Sequence, residues 1–211
     1  MIVYGSSISP FVRKVLAFAA EKGVAVENRA FALNAPPAAF LAASPFRKIP
    51  ALEDGDFTVC DSSAIVHYIE AKHPEPALIP AEPRDRARTI WFDEYADTIM
   101  VAVMGKMFFN RIVAPKFLGQ PGNDEIADIA ERDELPGVLD YLEACAPEPG
   151  GYLVGGRLTL ADISVASPFA NLRHLGLDLG RFPRGAAWAD AILARPSFAP
   201  WVAREAKMLA A

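Results

Sequence analysis

Cysteine and histidine are scarce in this chain: Cys60 and Cys145 are the two cysteines, and His67, His73 and His174 lie scattered. No C-x-x-C or comparable spacing occurs, so a structural zinc site has little to work with. A Cys60–Cys145 disulfide is open on arithmetic alone, but such sparing use of cysteine suits a reducing compartment better. There is no run of basic residues and the formal net charge is −5. Nucleic acid is therefore not an expected partner, because phosphate binding needs clustered Lys and Arg. Gly-rich nucleotide loops are missing too, so neither a metal nor a nucleotide cofactor is expected. The longest strongly apolar stretch, IMVAVMGKMFF, is interrupted by Lys106 and is short for a bilayer. No basic-then-apolar leader opens the chain. The expectation is a soluble, cytoplasmic, small-molecule protein with no membrane association.

What is present is ample core material. Of the 211 residues, 52% are hydrophobic and 22% charged, which at ~100–200 residues per domain means one large domain or two small ones. MIVYG reads as a strand. Val12, Val15, Leu16 and Ala19 then keep a 3.6-residue period that predicts a helix ending at Gly23. VAVENRAF reads as a second strand. PALEDGDFTVC places Asp54-Gly55 between two strands, where a type I′ hairpin turn is expected. SSAIVHYIEAKH is a helix stopped by Pro74. The order is β-α-β-α-β-β-α over residues 1–77. Four prolines within PEPALIPAEPRD make residues 78–84 a stiff linker. Residues 85–211 read as helix throughout, with Pro136 as a kink. Thr159 and Asp162 form a T-x-x-D capping box opening one helix of this domain.

Three segments carry the candidate chemistry. In SSISPFVRKV, Pro10 suits the first helical position and makes Ser9 the N-cap. Its hydroxyl either caps the helix or meets an anionic ligand atom at the helix's positive end. In SPFRKIPALEDG, Pro50 is either an ordinary trans proline opening a strand or a cis proline that leaves the Ile49 backbone free for a peptide-like ligand. In CDSSAI, Asp61, Ser62 and Ser63 are good caps. The same helix end offers amides and a hydroxyl to a carboxylate, with Asp61 able to receive an ammonium, as an α-amino acid would require.

SPFVRKV, KIPALEDG, DSSAI and LTLADIS, in that order, resemble the glutathione transferase superfamily over nearly the whole chain. The resemblance implies a thioredoxin-like N-terminal domain followed by an all-helical one. It also implies a homodimer and glutathione as co-substrate, transferred to a small apolar electrophile. Ser9 then looks like the catalytic serine, with Tyr4, Ser6 and Ser7 as the other hydroxyls to weigh. Ile49 would pair with the cysteinyl backbone beside a cis Pro50. Lys48 would reach the glycine carboxylate, and Asp61 and Ser62 would hold the γ-glutamyl end. Arg13 and Lys14 read as ordinary helix-face charges, either able to help attract an anionic tripeptide. Phe11, Met104 and Phe108 are candidate walls for the acceptor, although a Met and Phe stripe is more often core or subunit interface. The same fold could instead serve as a non-catalytic glutathione-binding or interaction module, or as a glutathione-dependent peroxidase or isomerase. A glutaredoxin-like activity is disfavoured because position 9 is not Cys.

Overall fold

The computed structural model describes residues 1–32 and 34–210. The elements run β1 (Ile2–Tyr4), α1 (Pro10–Glu21), β2 (Glu27–Arg29), α2 (Ala38–Ala43), β3 (Ala51–Asp54), β4 (Phe57–Cys60) and α3 (Ser62–Lys72). The helices α4 (Pro83–Glu94), α5 (Val101–Phe108), α6 (Asp124–Ile129), α7 (Leu135–Cys145), α8 (Leu160–Leu175), α9 (Pro183–Leu193) and α10 (Ala199–Ala210) follow. Met1–Pro80 and the segment from Arg195 onward form one compact unit, and Ala81–Ala194 form another. The division falls inside the Pro-rich segment. The C-terminal helix, however, groups with the N-terminal unit rather than with the helical one, for a reason found in α1.

The first unit is built on a mixed sheet of order β2-β1-β3-β4. β1 is parallel to β2 and antiparallel to β3, and β3 is antiparallel to β4. β2 is shorter than its apolar run suggests: it ladders only opposite the three residues of β1. The hairpin turn also differs from expectation. Its two loop residues are Gly55 and Asp56, because Asp54 still pairs with Phe57. Gly55 has φ 66° while Asp56 is not among the residues of positive φ, which is the pattern of a type II′ turn rather than I′.

Helix α1 packs on α3 and β1, and every residue from Val12 to Ala19 is buried. This includes Arg13 and Lys14, at 0% and 1% exposure, so they are not surface charges. Lys14 Nζ donates to Ser63 Oγ at 3.1 Å. Arg13 forms an ion pair with Glu205 of α10, both side chains being fully buried. Near the other end of α1, Glu21 accepts from Arg195 at 2.7 and 2.8 Å and from Ser197 at 2.5 Å. Burial resists ionisation of Glu21, but those hydrogen bonds prevail and hold its carboxyl below the usual range. These contacts draw the C-terminal segment to the first unit.

The exit of β1 is closed by Gly5. Its φ is +126°, and an added Cβ would lie 2.7 Å from Val12 Cγ2 and 2.9 Å from Ile49 Cβ. Asn28 Nδ2 braces the same strand end, donating to the Val3 and Gly5 carbonyls at 3.2 and 2.8 Å.

In the second unit the helical rod Pro83–Phe117 is long and apolar enough, by length and composition, to cross a membrane. A core helix of a helical bundle passes the same test. The first turns of the rod pack on α8, and Ser164 Oγ of α8 donates to the buried Asp93 at 2.6 Å. The rod is not a uniform α-helix: wider π-helical turns occupy Tyr95–Met100 and Phe109–Phe117. A third π-helical stretch, Ala130–Glu134, stands just before Pro136. Pro136 has no N–H to give and crowds the preceding turn, which accounts for the wider turns where a kink is expected.

Helix α8 is buried from Leu160 through Leu172, and its start is set by Asp162. The carboxylate accepts from Thr159 N–H at 2.9 Å, from the Thr159 hydroxyl at 3.2 Å and from Leu153 N–H at 2.8 Å. Burial pushes this carboxyl up to about 6 against the pull of those bonds. Cys60 and Cys145 are both free thiols.

Two outcomes follow from these local contacts. Gly5→Ala sets a Cβ against two fixed side chains at an unfavourable φ. It should cost about 2–4 kcal/mol in unfolding stability, and a loss below about 0.5 kcal/mol would show that β1, α1 and Ile49 separate freely. For Asp162, the folded carboxyl holds a proton between about pH 4 and 6 that the unfolded one has released. Its contribution to stability therefore falls as pH rises through that window. The stability gap between the wild type and Asp162→Asn should widen as pH is lowered from 7 to 4. A gap that narrows instead would mean that the hydrogen bonds outweigh burial.

Candidate functional site

Strand register gathers the candidate residues. Tyr4 stands opposite Ala51, and Ala51 opposite Cys60. The segment after Tyr4 leads to Ser9, the segment before Ala51 is Lys48-Ile49-Pro50, and the segment after Cys60 is Asp61-Ser62. All three leave the sheet at one end. The N-termini of α1 and α3 open from two of them, so two positive helix ends serve the same side of the unit.

Ser9 occupies the N-cap position of α1, but its side chain makes no capping bond. Its backbone is committed: the N–H donates to Ser6 C=O at 3.1 Å, and the C=O accepts from Arg13 N–H at 3.0 Å. The half-buried hydroxyl has no hydrogen-bond partner among the described residues. Ser6 and Ser7 belong to the turn leading into this position, and Ser7 is 6% exposed. Tyr4 is differently placed. It packs with Phe40, Ala43 and Ala51, and its hydroxyl donates to Glu53 Oε2 at 2.6 Å. That bond, together with burial, raises the phenol above its ordinary value. A hydroxyl already given to a carboxylate is poorly suited to a thiol.

The Ile49–Pro50 peptide is cis, as the resemblance implies. A second cis bond, Glu75–Pro76, had no counterpart in the sequence reading. The Ile49 amide and carbonyl have no hydrogen-bond partner among the described residues. Lys48, by contrast, is pinned by a residue that sequence reasoning missed. The fully buried Ser44 accepts from Lys48 N–H at 2.9 Å and donates to Lys48 C=O at 2.7 Å. Arg47, at φ 55°, makes the reversal. The signal for Ser44 was a serine directly before Pro45, a common turn arrangement. With its backbone held, the exposed Lys48 side chain has no partner among the described residues and can reach an anion.

Asp61 has φ 83°, a conformation costing on the order of 1–3 kcal/mol that is sustained by its surroundings and concentrates at ligand clamps. Its Oδ1 accepts from Ala64 N–H at 2.9 Å, while the residue is exposed. Ser62 is 2% exposed. Phe11 is half-buried on the first turn of α1. Met104 and Phe108 are buried together with Met100 and Met107, and Arg111 is held by Asp128 and Glu131 at 2.7 and 2.5 Å. Of the three suggested acceptor walls, only Phe11 retains substantial exposure. No group of three or more His, Cys, Asp or Glu residues among those described is arranged to hold a metal ion.

An arrangement of this kind can bind an extended peptide with a carboxylate at one end and an amino acid at the other, and can place a hydroxyl on its centre. The family profile "Glutathione S-transferase, N-terminal domain" matches residues 3–77, and "Glutathione S-transferase, C-terminal domain" matches residues 106–205. Glutathione S-transferase 4 of Zea mays is 32% identical, over 92% of this chain and 88% of its own length. The crystal structure of glutathione transferase F7 from Populus trichocarpa superposes with a TM-score of 0.82 at 29% identity, covering 96% of this chain and 97% of that one. A glutathione S-transferase from Methylobacterium radiotolerans, solved in complex with glutathione sulfonate, superposes at 0.77 with 27% identity, covering 95% and 93%. The chain belongs to the glutathione S-transferase family.

Proposed function

We propose that this glutathione transferase stabilises glutathione as its thiolate with the Ser9 hydroxyl. Lys48 then receives the glycine carboxylate, and the free Ile49 backbone beside cis Pro50 pairs with the cysteinyl portion. Asp61 and Ser62 hold the γ-glutamyl end. The observation that carries the reading is the uncommitted Ser9 hydroxyl at the start of α1, on the same sheet end as Ile49 and Asp61. A relative's complex with glutathione sulfonate supports glutathione as the ligand.

A free thiol of pKa ~8.5 is about 3% thiolate at pH 7, and lowering it by ~2 units requires roughly 2.7 kcal/mol of preference for the anion. A hydrogen bond to a charged acceptor supplies ~1.5–3 kcal/mol, and a helix N-terminus ~0.3–1 more. Ser9 therefore donates a hydrogen bond and keeps its own proton, while the thiol proton leaves to solvent. The thiolate attacks an electrophilic carbon, forming the S–C bond as the leaving group departs with its electron pair. The acceptor is a small apolar electrophile resting against Phe11. The enzyme acts as a cytoplasmic homodimer, a reading supported by the family alone. Peroxide reduction or isomerisation would draw on the same thiolate.

The test is an ultraviolet titration of glutathione bound to the purified protein. The wild type should form thiolate well below the free value. Ser9→Ala should raise that pKa by about 2 units and lower kcat/KM near pH 6.5 by about 10–100-fold. Tyr4→Phe should leave the thiol pKa unchanged and cost about 1 kcal/mol of stability. If Tyr4→Phe moves the thiol and Ser9→Ala does not, the tyrosine is the activating group. If bound glutathione is never acidified, the chain binds without activating.

A further inference from the structure

The C-terminal helix grips the helix that carries Ser9, through Arg13 and Glu205. We propose that Glu205 is a positioning residue for Ser9, acting through Arg13. Arg13 Nε lies 3.1 Å from both Glu205 oxygens, and Nη2 lies 2.8 Å from Oε2. The same Nη2 also reaches Ile8 C=O at 3.4 Å, while Arg13 N–H holds Ser9 C=O at 3.0 Å. Arg13 thus touches the backbone on both sides of the Ser9 hydroxyl. Where its guanidinium sits fixes where that turn sits.

Eight residues along α1, about 12 Å at 1.5 Å per residue, Glu21 is held by Arg195 and Ser197. The C-terminal segment therefore splints α1 in antiparallel sense: Arg13 meets Glu205, and Glu21 meets Arg195. A buried pair of this kind adds little over well-packed apolar residues in stability alone. What a guanidinium–carboxylate fork adds is direction, because several hydrogen bonds set rotation and register together.

This inference rests on the reading of Ser9 as the thiol-stabilising group, so the test separates the two. Thiol pKa of bound glutathione and unfolding midpoint are measured for wild type, Ser9→Ala, Glu205→Gln and the double variant Arg13→Met/Glu205→Leu. The double variant replaces the pair with apolar side chains and is expected to keep a midpoint close to wild type. Its bound thiol pKa should nevertheless rise by about half a unit to one unit, a three- to tenfold loss of thiolate at fixed pH. Amide exchange in the first turn of α1 should quicken in parallel. A wild-type thiol pKa in the folded double variant overturns the proposal, provided Ser9→Ala shifts it. If Ser9→Ala itself leaves the thiol unmoved, the underlying reading has failed and Glu205 has nothing to position. Should the double variant not fold, Glu205→Gln decides on the same readout, because it keeps the shape and loosens the fork.

Discussion

One cross-strand row, Tyr4 against Ala51 against Cys60, is the constraint on which the site depends. It brings the end of β1, the beginning of β3 and the end of β4 to a common edge, and each segment leaving that edge carries part of the candidate site. A slip of one residue between β1 and β3 would turn Tyr4 or Ala51 away from Phe40 and into the opposite face. The register is protected on both sides. Tyr4, Phe40, Ala43 and Ala51 pack as one cluster beneath α2, and Tyr4 is tied across the sheet to Glu53. Tyr4 thus ties strand alignment to the edge from which the candidate site opens.

The work proposed for Ser9 is small in free energy but demanding in position. A neutral hydroxyl needs to favour a thiolate by only a few kcal/mol, and one charge-assisted hydrogen bond with a helix end covers that. Such a bond weakens steeply as its angle and length drift. The surroundings accordingly hold backbone rather than supply acids or bases. Ser9 is bonded at both N–H and C=O, Lys48 is bonded at both by Ser44, and Gly5 leaves no room between Val12 and Ile49.

Signals that act within a few residues were legible in the sequence. Ser9-Pro10 marked the start of α1, Thr159 and Asp162 the start of α8, and Pro136 the irregular turns leading into α7. The Asp54-Gly55 pair located the hairpin, although the turn took Gly55-Asp56 and the opposite primed type. What sequence could not show were contacts whose partners lie far along the chain. Arg13 and Lys14 read as solvated charges because helical periodicity says which face is apolar but not what covers the other face. Arg13 finds its partner 192 residues later, and Lys14 finds Ser63 49 residues later. Nor does periodicity show that the compact unit containing α1 also takes in α10. The cis Ile49–Pro50 bond came from the family resemblance, since the residues alone allowed either isomer.

Arg13 and Lys14 are neighbours, so their side chains leave α1 about 100° apart. One goes to α10 and the other to α3. Two polar anchors at that angle prevent α1 from rolling, which apolar packing resists less well because it has no preferred direction. The Lys14 anchor has a second effect. Ser63 lies in the first turn of α3, next to Ser62 and two residues from Asp61, so Lys14 joins the helix start proposed for the thiol to the one proposed for the γ-glutamyl group. The two positive helix ends are therefore fixed against each other as well as to the sheet. In the proposed mode, an extended peptide is then held at one end while its centre is presented to Ser9. The buried cations of α1, which no folding argument based on apolar burial would place there, set that helix against α10 and α3, next to the proposed site.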